Sequence, residues 1–278
     1  QNIGTWNVSS VTNMSGMFAS ADNFNQNIGA WDVGSVTDMS NMFRLNNSFN
    51  QNINGWNVSS VTNMSSMFYD AVFNQNIGSW DVSGVTNMSY MFFLTGFNQN
   101  ISNWNVSAVT DMRGMFLYTS SFNQNIGNWN VSSVINMSEM FSFAGAFNQN
   151  LNNWNVLAVT DMTEMFLYAT SFNQSLAAWG PKFNPMVNLT RMLNNSGLNI
   201  TNYDATLTGF NAANVTGITF GANALKYCTS AAARANLVLP ISSGGKGWNI
   251  TGDYQACPFI TRWNLATSGS GATQLSFG

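Results

Sequence analysis

A fixed period constrains this chain more than anything else in it. Tryptophan recurs at Trp6, Trp31, Trp56, Trp80, Trp104, Trp129, Trp154 and Trp179, always 24 or 25 residues apart. Around each copy stands nearly the same string, F-N-Q-N-I-x-x-W-[ND]-V-x-x-V-T-[ND]-M-x-x-M-F, followed by a variable link; Phe122 to Phe141 is a clean example. The copies fill residues 1–179 and continue in degraded form to about Leu198, where Leu189, Met192 and Leu193 take the Met, Met and Phe places. No single coil of this length can bury its own Trp, Ile, two Val, two Met and two Phe. Stacked coils can, so the sequence predicts a quasi-one-dimensional repeat solenoid.

Local patterning suggests the parts of each coil. In Ser10 to Phe18 the apolar residues Val11, Met14 and Phe18 fall at i, i+3 and i+7. That spacing predicts one inward face of a short helix or 3-10 turn with Ser10 as N-cap. The arm Phe24 to Ile28 alternates and is bounded by Gly29, which predicts a strand rung pairing in parallel with its neighbours. Rungs about 4.8 Å apart would extend eight coils over roughly 35 to 40 Å.

Only 7% of the residues are charged, while Asn supplies about one residue in six, so neutral amides and hydroxyls carry solubility. Residues 1–179 hold nine acids and two Arg (Arg44, Arg113); residues 180–278 hold six bases and two acids. No basic stripe is available for nucleic acid, and no apolar run reaches the roughly 20 residues of a membrane helix. Gln1 falls in mid-repeat, so the start reads as a fragment edge and the missing signal peptide carries no weight on export. Cys228 and Cys257 are the only cysteines, and the chain has no His. Without His, an ordinary structural zinc site is out of reach, and a disulfide closing the end of the stack is the preferred reading over two buried free thiols. A bridge would imply an oxidising compartment. Pro258 to Leu265 and Gln274 to Phe277 read as strands around a Gly/Ser-rich turn at Thr267 to Thr273, the start of a further β module.

The strings W-[ND]-V-S-x-V-T-[ND]-M-S-x-M-F and F-N-Q-N-I resemble the BspA-like leucine-rich repeat, also described as a repeat domain of unknown function in mycoplasma lipoproteins and Bacteroidota surface proteins. The likeness covers about two thirds of the chain. The segment Tyr227 to Arg234, with Gly247 to Thr251 and Cys257, resembles the C-terminal cap that follows such repeats in Flavobacteria-like surface proteins. The resemblance implies an α/β solenoid of leucine-rich-repeat-like coils, each with one short parallel strand and one short helix or 3-10 turn. It also implies cell-surface placement, export by the type IX system in Bacteroidota, and no catalytic residues. The Leu places of that repeat are held here by Met, Phe and Trp, a departure that bears on curvature. The domains expected are a solenoid over 1–198, a capping segment over 199–257 and the truncated β module over 258–278.

Each residue class has a bland reading beside a functional one. Paired methionines such as Met39 and Met42 could ligate copper(I), but they share the apolar face with Phe43, which favours core packing. The Trp column could stack sugars or form core, and core is preferred. Asn25, Asn50, Asn74, Asn98, Asn123, Asn148 and Asn173 share one place and a Gln follows each, so their amides can form a ladder along the axis; the same array could grip a polysaccharide, a partner loop or an ice lattice. Asp32 and Asp81 share one place, and Asp38, Asp111 and Asp161 another, but their scatter offers too few clustered ligands for calcium. No facing acid pair recurs for glycoside chemistry, and sequons such as Asn7-Val8-Ser9 follow from an Asn/Ser-rich repeat. The sequence therefore predicts a secreted or surface-exposed bacterial binding or adhesion module for a protein or polysaccharide, with no cofactor, no metal and no nucleic acid. The alternatives are an architectural spacer, a subunit of an outer-membrane complex and, least favoured, a glycan-active enzyme whose activity lies in flanking domains.

Overall fold

A computed structural model describes residues 2–257 of the chain. The β module expected over 258–278 lies outside the described residues.

Successive repeats lie on one another in register, and one residue per coil carries the parallel bridge. The chain of bridges runs Asn13, Asp38, Asn63, Asn87, Asp111, Asn136, Asp161, Asn188. This differs from the expected arrangement: the bridging residue is the [ND] of V-T-[ND]-M, not a residue of the F-N-Q-N-I arm. The Asn side chains of that arm explain why it forms no rung. Asn25 Oδ1 accepts the N–H of Asn50 one coil on, and Asn27 Oδ1 accepts the N–H of Gly29. Side-chain oxygens have taken the place of the carbonyls that a ladder would use.

Where the i, i+3, i+7 spacing suggested a short helix or 3-10 turn, the chain forms a series of single turns and no helix. In the second coil the N–H groups of Met39, Asn41, Phe43 and Leu45 donate to carbonyls of Asn63, Ser65, Met67 and Tyr69 in the next coil. The intervening N–H groups of Met42, Arg44 and Asn46 close turns onto Met39, Asn41 and Phe43. Every donor of this stretch is thus satisfied, alternately between coils and within them, and none is left for an i to i−4 helix. The turns need a left-handed residue at two places per coil. The residue before the second Met holds one (Gly16, Asn41, Ser66, Tyr90, Gly114, Glu139, Glu164, Arg191), and the second residue after Phe holds the other (Ser20, Leu45, Asp70, Leu94, Tyr118, Phe143, Tyr168, Asn195); all have φ between 49° and 66°.

Inside the stack the apolar columns are continuous. Phe18, Phe43, Phe68, Phe92, Phe116, Phe141 and Phe166 lie ring over ring at 5.5 to 5.9 Å. Each coil's second Phe lies against the first, for example Phe43 on Phe49 at 3.9 Å. Trp31 to Trp179 are buried, stack at 6.3 to 6.5 Å where paired, and donate Nε1–H to the preceding coil's Ile or Leu carbonyl at 3.0 to 3.1 Å. The indole is therefore both packing and hydrogen-bonded spacer between coils. Trp6 departs from the expected core column: it is 48% exposed, because no described coil lies on that side to cover it.

The stack ends at a cap. A 3-10 turn over Ala177–Lys182 leads to helix α1 (Ile200–Asn211), capped by Asn199 accepting from the Asn202 N–H, and helix α2 (Ala231–Val238) packs on α1. Strands β1 (Thr219–Gly221) and β3 (Asn249–Thr251) pair in parallel, as do β2 (Lys226–Tyr227) and β4 (Tyr254–Gln255). Phe220 of β1 bridges Leu189 of the last degraded coil, which joins the cap's sheet to the stack. Cys228 and Cys257 form a disulfide.

Candidate functional site

Turn geometry decides what the M-x-x-M-F-x-x segment shows to solvent. A left-handed residue costs an L-amino acid roughly 1 to 2 kcal/mol unless it is Gly or, to a lesser degree, Asn or Asp. The first coil fills these places with Gly16 and Ser20. Later coils put Tyr90, Leu94, Tyr118, Phe143 and Tyr168 there, with Leu94, Tyr118 and Tyr168 between 41% and 47% exposed. Strained bulky residues that remain in contact with water are the signature of a surface kept for something other than stability.

Together these side chains make a ridge along the stack. Arg44 lies over the Tyr69 ring at 4.8 Å, and Tyr69 stacks on Phe93 at 4.2 Å. Phe93 meets Tyr118 edge-on at 5.9 Å; Tyr118, Phe143 and Tyr168 then stack at 4.5 and 4.9 Å. Beside them Tyr90 lies across Gly114, where an added Cβ would come 2.4 Å from the ring, so that glycine makes the room the tyrosine occupies. Arg113 sits over Tyr90 at 5.4 Å and pairs with Glu139 at 3.5 Å; the Tyr90 hydroxyl donates to Glu139. Burial first, and then the negative charge of Glu139, push the Tyr90 hydroxyl up to about 12, so it stays protonated as that donor. Arg191 and Glu164 pair at 2.7 Å at the far end. Most ring faces are turned against one another, so the ridge offers edges, hydroxyls and charges to a visitor rather than open aromatic planes.

On another side of each coil lies a corner of amides. Oδ1 of Asn25, Asn50, Asn74, Asn98, Asn123 and Asn148 accepts the N–H of the equivalent Asn one coil on, at 2.9 to 3.1 Å, and Asn173 does the same for Asn199. Gln51, Gln99, Gln124, Gln149 and Gln174 donate Nε2–H to the same oxygens.

The acids considered for calcium are employed singly. Asp32, Asp38, Asp81, Asp111 and Asp161 each accept the N–H two residues on, the role that Asn plays at the same place in other coils. An oxygen acceptor is all that turn needs, which is why Asn and Asp interchange there. The Met pairs from Met39 onwards are wholly buried among the Phe columns. In the cap, Asp204 accepts from the N–H groups of Cys228, Thr229 and Ser230 and from the hydroxyls of Thr229 and Ser230. Burial opposes its charge, but these donors outweigh burial and hold the carboxyl down to about 2. Asp253, its side chain buried, accepts from Nε and Nη2 of Arg234 and from the Tyr203 hydroxyl.

Sequence reasoning named the Trp, Asn and Cys residues and a variable link after each copy, but it missed the ridge. A signal was present: every Tyr, Arg and Glu of residues 1–198 falls in the window M-x-x-M-F-x-x.

No curated protein and no solved structure matches the chain. A family described as "Mycoplasma protein of unknown function, DUF285" matches residues 1–97 and 93–206, most of the chain and nearly all of the coil stack. By its repeats, this chain belongs to the DUF285 family.

Proposed function

We propose that this chain acts by binding rather than catalysis, as a leucine-rich-repeat-like solenoid exposed on or outside a bacterial cell that docks a protein partner on its aromatic ridge. One observation carries the reading. The repeat is uniform elsewhere, yet the nine Tyr, Arg and Glu residues of its coils gather in one segment, six of them at left-handed places and all of them exposed or half-buried. Clustered Tyr and Arg are what protein interfaces select, since they supply large contact area and directed hydrogen bonds at few rotatable angles. The stacked rings support a protein partner over a sugar, because sugar binding by stacking needs free ring faces. The Cys228–Cys257 disulfide supports a place outside the reducing cytosol. A spacer role fits the uniform amide corner but leaves the strained aromatic places without a reason.

The test is affinity capture on the parent protein, comparing it with a Tyr118→Ser/Phe143→Ser/Tyr168→Ser variant and with a variant altered on the exposed Thr37 and Thr86. Serine already occupies the ridge place at Ser20 with φ 55°, so the fold accommodates it. A partner retained by the Thr variant and lost by the ridge variant, then shown to bind as a purified protein, supports the reading. A partner that binds both variants equally overturns it.

A further inference from the structure

The fourth residue of F-N-Q-N-I builds a second surface, independent of the ridge. From Asn2 to Asn150 one exposed Asn per coil stands at this place. Each spends its Oδ1 on the N–H two residues on, at 2.9 to 3.0 Å. The oxygen already accepts one bond, whereas the exposed Nδ2 group makes none to the described residues, so the row presents amide donors at one coil spacing.

The row borders an open trough. Over the first three coils it forms a concavity of about 650 Å³ lined by Asn27, Gly29, Gln51, Asn52 and their neighbours, and it resumes as one of about 310 Å³ at Asn76, Gly78, Asn100 and Asn103. Neither stretch is lined by a charged residue. Glycine brings the next coil close at these points: a Cβ on Gly29 would press on the Asn52 carbonyl oxygen, and one on Gly78 on that of Asn100. Between the two stretches Asn54 stands in the glycine's place.

We propose that this trough binds an extended, neutral, β-linked polysaccharide lying along the stack axis, about one sugar per coil. Parallel coils are about 4.8 Å apart, and an extended β-(1→4) pyranose chain advances by about the same step per sugar; each sugar is turned over relative to the last, so the acceptor oxygens that meet successive amide donors come alternately from its two edges. Uncharged, acceptor-rich sugar faces suit a donor row without charged neighbours, and many weak contacts in register give affinity that no single one provides.

Chitohexaose and cellohexaose are titrated calorimetrically into the full chain, with maltohexaose, whose α links coil it, as the control. The chain itself supplies a mild variant: Asn27→Asp/Asn76→Asp keeps the turn-forming oxygen and removes the outward donors, and its two sites lie two coils apart as Asp32 and Asp81 do. Binding of either β-linked hexamer, absent with maltohexaose and weakened at least tenfold in this variant, supports the site. Asn57→Asp/Asn105→Asp, the same charge change away from the trough, leaves it unaltered, as does the ridge variant. No binding of either β-linked hexamer at millimolar concentration, equal binding of maltohexaose, or unchanged affinity in Asn27→Asp/Asn76→Asp overturns it.

Discussion

The amide corner and the aromatic ridge come from the same repeat and differ in what the repeat demands. At the corner an Asn oxygen accepts the next coil's N–H, so each copy must keep a side-chain oxygen at that place. Along the ridge, past the first turn that an Asn or Asp oxygen closes, backbone bonds close the turns and join the coils, such as Phe92 N–H to Met115 carbonyl and Leu94 N–H to Leu117 carbonyl. Side chains there are released from structural work, and the chain uses that freedom to place Tyr, Phe, Arg and Glu. Repetition holds the stack together on one side and leaves the other free to carry information.

The largest effect belongs to the core that both faces share. Phe116→Ala, at a fully buried ring stacked between Phe92 and Phe141, should cost about 3 to 5 kcal/mol and lower the melting temperature of the whole stack. A loss confined to the ridge, with the corner's amide exchange unaltered, would show that the two faces are not coupled through this column.

The cap comes next. The Asp204 carboxyl titrates near 2 when folded and near 3.8 when unfolded, so its contribution of about 2 kcal/mol is complete above pH 4 and disappears as pH falls through 2. Asp204→Asn should remove that acid dependence and most of that stability at neutral pH. Denaturant melts of the two proteins between pH 2 and 6 compare them directly, and parallel curves would assign the acid sensitivity elsewhere.

Smaller effects separate corner from ridge. Asn98→Ala withdraws the acceptor used by the Asn123 N–H and Gln124 Nε2 and should cost about 1 to 2 kcal/mol, whereas Asn98→Asp, which keeps the oxygen, should cost less. At the ridge the sign reverses: Tyr118→Asn relieves a left-handed tyrosine and should stabilise by about 0.5 to 1 kcal/mol. Chemical denaturation of the single variants reads both. A destabilising Tyr118→Asn would mean that its stack on Phe143 outweighs the backbone strain, and the ridge would then be a structural element.

Much of the molecule was legible because its signals are local and repeated. Eight Trp at one spacing determined the stacking and its period, and the chemistry of an Asn followed by a Gln in every copy pointed to an axial ladder. Two cysteines without a His pointed to a bridge. Secondary structure was not legible. The spacing of Val11, Met14 and Phe18 is equally that of a short helix and of a chain of turns, and periodicity records which residues face inward without recording where their N–H groups go.

The sequence by itself determined the repeat, its apolar columns and the end of the stack, since each follows from residue types recurring at fixed distance. Only the tertiary structure decided the rest: that Asn13 and its equivalents bridge while Phe24 to Ile28 do not, that two places per coil are left-handed, and that Tyr69, Tyr90, Phe93, Tyr118, Phe143 and Tyr168 form one ridge. The reason is that backbone donors 24 or 25 residues apart choose their acceptors only when the coils meet. That choice sets the turns, and the turns set which side chains stand in water.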